Sequence, residues 1–187
     1  HEIPNAAPQF AYRSLGLGNS EFVATTVDIG VQRQCQSLLK RHVKQHRNLG
    51  LHNGAVLVVD NHTMEVKAYC ASADFNDTQA EGQCDGIQAH RSPGSTLKPL
   101  IYAMAMDQGK IHPKSMLLDI PTQYTDFQPV NYDMQYRGQV RMDQALQSSL
   151  NIPAVRTLQA VGYREVVYLL KRIGFSAINR ISDHYGL

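Results

Sequence analysis

The chain has 187 residues and a mass of 20.9 kDa, the size of one ordinary domain that can bury a core without disulfide or metal staples. Apolar residues make up 43% of it and charged residues 18%, which excludes the charge-rich, core-poor balance of a disordered chain. The net charge of +2 is too small to attract nucleic acid or anionic lipid by its field, so neither is expected as a partner.

In chain order, residues 1–22 mix Pro4, Pro8, Gly16 and Gly18 with no sustained period and read as a linker or docking segment. A folded domain is expected over 23–187. It opens with a short strand over Phe22–Val27, where β-branched residues concentrate. From Val31 to His46, apolar Val31, Cys35, Leu38, Leu39, His42 and Val43 share one helical face. The basic residues Arg33, Lys40, Arg41, Lys44 and Arg47 fall largely elsewhere and read as a solvated face. Gly54–Asp60 and Glu65–Cys70, joined by four residues, predict an antiparallel hairpin. Residues 72–92 are polar and loop-like. Leu97, Leu100, Ile101, Met104 and Ala105 then space as a helix ending near Gly109, and Pro113 blocks its continuation. A long irregular stretch follows over roughly 118–138. Helices are expected over Val140–Ser148, Pro153–Val161 and Arg164–Ile173. Three cysteines, Cys35, Cys70 and Cys84, show no Cys-x-x-Cys spacing. In an oxidising compartment Cys70 and Cys84 could close a loop; the plainer reading is free thiols.

The chemistry concentrates in Gly94-Ser95-Thr96-Leu97-Lys98-Pro99. On a helix beginning near Ser95, Ser95 and Lys98 stack one turn apart, which brings an amine to a hydroxyl. A serine needs an adjacent base to become a nucleophile, and a partly buried lysine can have its pKa lowered enough to serve. The helix N-terminus stabilises negative charge developing beside Ser95, and Gly94 permits a tight turn into that position. The spacing alone decides nothing, because Ser37-Leu38-Leu39-Lys40 repeats it in mid-helix, where it reads as structural. A second element narrows the reading. Ser148-Ser149-Leu150-Asn151 lies between two helical patterns, on a turn where side chains can reach a cleft. There Ser149 can pass a proton and Asn151 can grip an amide.

Ser-x-x-Lys followed by Ser-x-Asn begins the motif set of penicillin-binding proteins and serine β-lactamases. With the hairpin, Pro129-Val130-Asn131-Tyr132-Asp133 and Ser148–Val155, the chain resembles the transpeptidase domain of class A penicillin-binding proteins from about Thr25 onward. Residues Asn5 to Arg13 resemble the segment that joins glycosyltransferase to transpeptidase in such proteins. The resemblance implies that Ser95 is acylated by a D-Ala-D-Ala stem peptide, with Lys98 as its base. It further implies that Ser149 protonates the leaving amine and that Asn151 holds the substrate amide. The expected fold is α+β, of the serine β-lactamase/DD-transpeptidase type, truncated to a helical lobe and the first strands of an antiparallel sheet. The third motif, Lys-Thr/Ser-Gly, does not occur in these residues, so about half a domain is expected, inactive or slow by itself. A β-lactamase-like or D,D-carboxypeptidase hydrolase and a non-catalytic scaffold remain rival readings.

The implied partners are peptidoglycan stem peptides and β-lactams, with other cell-wall synthesis proteins possible. No apolar run approaches the roughly 20 residues of a membrane helix, and the chain starts at His1 without a leader. It therefore reads as a soluble internal piece of a protein at the periplasmic face of the cytoplasmic membrane, anchored by a segment outside it. No cofactor and no metal are expected. His42 and His46 share a helix face but lack a third ligand with helpful spacing. His90 could pair with a serine, yet Lys98 already fills the base role. Asp119, Asp126 and Asp133 read as turn caps rather than as a carboxylate pair.

Overall fold

The computed structural model describes residues 6–16, 23–124 and 127–178, arranged in two compact units, His1–Arg91 and Ser92–Leu187. The first unit holds α1 (Pro8–Leu15), α2 (Ile29–His46) and the antiparallel hairpin of β1 (Val56–Val59) and β2 (Val66–Cys70), in which Val56 faces Cys70. Asp28 caps α2 by accepting the Val31 N–H, which is why the helix begins at Ile29 rather than Val31. Leu39 and Val43 of α2 pack on Cys70 and Ala73, with Cys35, Leu51 and Val56 around them.

Two expectations change in this unit, and the plainer reading of the cysteines stands. Residues 23–28 form no strand, and Phe22 lies outside the described residues. Thr26 and Asp28 instead give single bonds to the carbonyls of Val66 and Lys67 at the edge of β2, too few to make a ladder. Part of the segment read as a linker is helical. Pro8 starts α1 with its φ preset, Gln9 donates to Ser72 Oγ and the Gly82 carbonyl, both at 2.8 Å, and Phe10 lies 5.1 Å from the Tyr69 ring. All three cysteines are free thiols; Cys70 is buried, and burial pushes its pKa up to about 11.

The second unit is built around α3 (Lys98–Asp107), entered through a 3-10 turn over Gly94–Leu97. Apolar on most sides, α3 sets Ile101 and Ala105 against Val161, Val166 and Leu170, while Tyr102 meets Met142 and Ala154. Those partners come from α4 (Met142–Gln147), α5 (Asn151–Val161) and α6 (Tyr163–Arg172). Two short strands bound the stretch expected to be irregular. β3 (Met116–Asp119) pairs antiparallel with β4 (Gly138–Arg141), Met116 facing Arg141 and Asp119 facing Gly138. The expected helix over Val140–Ser148 therefore begins only at Met142. Four-residue strands separated by a long loop carry no local period, so only their pairing defines them. The fold is an α+β arrangement of helices and small antiparallel sheets.

Candidate active site

Ser95, Lys98, Ser149 and Asn151 all belong to the second unit. Gly94 has φ +50°, and a Cβ there would meet nothing within 4 Å. Its requirement is conformational, since only glycine enters the left-handed region freely. This turn presents Ser95 exposed on the 3-10 segment and leaves Lys98 as the first residue of α3.

Lys98 is only 7% exposed. Its Nζ donates to the Ser149 carbonyl at 2.6 Å, to Asn151 Oδ1 at 2.6 Å and to Ser149 Oγ at 3.2 Å. Burial pushes the lysine pKa down from its ordinary value, because desolvation disfavours the ammonium. The one-turn offset from Ser95 is present, but the ammonium spends its described hydrogen bonds on the other motif rather than on Ser95 Oγ.

Ser149 reaches the lysine through an unusual backbone. Its N–H bonds to the Leu146 carbonyl and the Leu150 N–H to the Ala145 carbonyl, the double closure that ends a helix with a left-handed residue. Ser149 occupies that position with φ +51°, where glycine is favoured and another residue costs about 1 kcal/mol. Leu150 then packs on Ala145 and Val140, locking the turn. A strained non-glycine residue held by apolar packing beside a buried lysine is a pattern that recurs at functional sites.

Asn151 opens α5. Its N–H donates to Asn131 Oδ1 at 2.8 Å and its Nδ2 to the Val130 carbonyl at 2.7 Å. Its side-chain amide is thus engaged at both ends by the protein. Val130 and Asn131 carry no chemical signal in the spacing, and only the chain's return past α5 exposes their role. Ser95, Lys98 and Asn151 line a cleft of about 490 Å³ whose remaining wall includes Leu97, Phe127, Val130 and Leu158. This arrangement sets a hydroxyl, a partly desolvated amine and an amide around an apolar-walled space.

The other candidates are placed elsewhere. The rings of His42 and His46 lie 4.3 Å apart, tilted by 35°, and His46 Nδ1 contacts the His42 carbonyl at 2.9 Å. His90 is exposed in the first unit. Asp133 pairs with Arg137 at 2.6 Å and Asp119 is buried on Asn131; Asp126 lies outside the described residues. Ser37, the decoy, has its Lys40 ion-paired to Asp74 instead.

The family model for the penicillin binding protein transpeptidase domain matches residues 54–186. Over 176 residues the chain is 38% identical to penicillin-binding protein 1C of Escherichia coli (strain K12), covering 92% of this chain and 22% of that protein. It is 38% identical over 122 residues to penicillin-binding protein 1F of Bacillus subtilis (strain 168), covering 65% of this chain and 16% of that protein. Among solved structures, penicillin-binding protein 1A from Haemophilus influenzae superposes with a TM-score of 0.60 at 26% identity, over 70% of this chain and 20% of that one. The penicillin-binding protein PonA1 from Mycobacterium tuberculosis gives 0.67 over 91% of this chain and 44% of that one; at 22% identity it speaks for the fold alone. The chain spans less than a quarter of the length of these two curated relatives.

Proposed function

This chain belongs to the transpeptidase-domain family of penicillin-binding proteins, and on that premise we propose that it carries the acyl-transfer half of a peptidoglycan D,D-transpeptidase. Such an enzyme acts through an acyl-serine intermediate and is inhibited by β-lactams. The observation that carries the reading is the buried Lys98 amine, held by Ser149 and Asn151 one turn from an exposed serine at the mouth of the cleft.

In this reading Ser95 Oγ attacks the carbonyl carbon of the penultimate D-alanine of a stem peptide and gives its proton to neutral Lys98 Nζ. The proton passes through the Ser149 hydroxyl to the departing amine as the C–N bond breaks, and terminal D-alanine leaves. An acceptor amine then attacks the ester carbonyl, forming the new C–N bond; its proton passes to Lys98 Nζ and on to Ser95 Oγ as the C–O bond breaks and the serine is regenerated. Asn151 holds Lys98 through Oδ1, and its Nδ2 can exchange the Val130 carbonyl for that of the substrate. A β-lactam enters the same path, with its ring amide in place of the scissile bond. The enzyme would act at the periplasmic face of the cytoplasmic membrane, where stem peptides lie; among the described residues no helix is long and apolar enough to cross a membrane. The 23–187 segment is proposed as the partial transpeptidase domain, preceded by the linker or docking segment.

The test is intact-mass analysis and peptide mapping, after treatment with a penicillin, of the protein with its complete transpeptidase domain. One adduct at Ser95 is expected. Modification of Ser37 or Ser149 in its place overturns the assignment.

A further inference from the structure

Asp119, at the end of β3, is fully buried. Its carboxylate accepts from Asn131 Nδ2 at 2.8 and 3.0 Å and from the Arg137 N–H at 3.0 Å. Among the described residues no cation pairs with it, and the Arg137 guanidinium is turned to Asp133. A buried carboxylate held by neutral donors needs a reason to remain, since desolvating a charge is costly.

The hydrogen-bond directions supply one. A carboxylate only accepts, so Asn131 must turn its Nδ2 toward Asp119, and a second donation from Nδ2 to the Gln135 carbonyl at 2.8 Å agrees. Asn131 Oδ1 is thereby left facing the Asn151 N–H, one of the donors that the start of a helix leaves without an intrahelical partner. Asn151 in turn offers Oδ1 to Lys98 Nζ. An amide has two nearly isosteric ends, and the groups that choose between them are the Asp119 carboxylate and the Gln135 carbonyl, which only accept, and the Asn151 N–H, which only donates; Asp119 takes two of the three contacts of Nδ2.

We infer that Asp119 and Asn131 are positioning residues that turn an acceptor toward the Asn151 N–H, and thereby hold the start of α5 and Asn151 where the lysine needs it. Neither lines the cleft, and the inference rests on the acyl-transfer reading of Ser95 and Lys98. Reversing the Asn131 amide would point a donor at the Asn151 N–H, push the first turn of α5 away and loosen the lysine. Catalytic groups misplaced by about 1 Å can lose on the order of a hundredfold in rate.

The test measures second-order labelling of the intact protein by a fluorescent penicillin, at a temperature where circular dichroism shows each variant folded. Asp119→Asn preserves shape but removes the group that only accepts. It is expected to label about tenfold to a hundredfold more slowly. The rising limb of its rate against pH should also move to lower pH, because an ammonium that loses an amide acceptor gives up its proton more readily. Asn131→Asp sets two carboxylates together and should lose at least as much. The double variant Asp119→Asn/Asn131→Asp restores an acceptor toward the Asn151 N–H and one donor–acceptor pair between positions 119 and 131, but sets a carboxylate oxygen against the Gln135 carbonyl. It is expected to label faster than either single variant. Labelling of Asp119→Asn within twofold of the parent with an unmoved limb overturns the inference, as does a double variant no faster than the singles. If a single variant unfolds, the double decides: folded with near-parental labelling supports the inference, and slow or unfolded overturns it. A parent that does not label at Ser95 overturns the acyl-transfer reading instead.

Discussion

At the scale of single residues the site is a set of compromises between stability and chemistry. Ser149 holds a left-handed backbone that glycine would adopt without strain. Ser149→Gly should therefore stabilise the protein by about 1 kcal/mol, readable as a raised melting temperature, while slowing penicillin labelling because Lys98 loses the Oγ contact. A variant that melts higher and labels as fast as the parent would remove Ser149 from proton transfer. Lys98 makes the opposite bargain, accepting desolvation to lower its pKa. In the proposed mechanism the neutral amine is the base, so labelling should rise with pH through the folded-state lysine pKa, with a midpoint below the ordinary lysine value of 10.5. Lys98→Arg keeps a charge that does not titrate in this range and should lose the limb together with most of the rate. A limb unchanged in Lys98→Arg would place the base elsewhere. Sequence spacing exposed Ser95, Lys98, Ser149 and Asn151 as residues. The bond from Lys98 to Asn151 was not legible there, because a side chain's partner 53 positions away leaves no local period.

Among the elements, α2, α5 and α6 follow their apolar spacing to within about two residues, and β1 and β2 fall inside the two expected hairpin strands, joined by a turn that Asp60 closes. There Asp60 Oδ1 accepts the N–H groups of His62 and Thr63 at 2.9 and 2.8 Å. β3 and β4 escaped the same logic, since each is four residues long and is stabilised by its partner and by α4 and α5 beneath. The outer edge of β2 shows how a polar side chain can replace a strand. Buried Gln32 accepts the Tyr69 N–H at 2.7 Å and donates to the Tyr69 carbonyl at 3.1 Å and to the Ala6 carbonyl at 3.0 Å. Gln32→Ala leaves those backbone groups buried without partners and should cost about 1–3 kcal/mol in urea-melt stability. A loss under half a kcal/mol would mean that water or a shifted chain satisfies them equally well.

For the whole molecule, the four site residues sit in one compact unit although they come from separate stretches of chain. Acylation at Ser95 should slow amide hydrogen exchange most around Gly94–Ile101 and Ser149–Val155. Protection strongest over α2 and the β1–β2 hairpin would relocate the site. By itself the sequence determined the family, the α+β class, the presence of the Ser-x-x-Lys and Ser-x-Asn motifs and the amphipathic helices, because each is written in spacings of a few residues. Only the tertiary structure decided that Lys98 bonds Asn151 and Ser149, that Ser149 sits in a left-handed turn, that β3 pairs β4, and that Asp119 orients Asn131 beneath the site. Each of these joins positions whose relation is set by packing and by the need to satisfy buried polar groups. Such constraints act through space and leave no periodic trace along the chain.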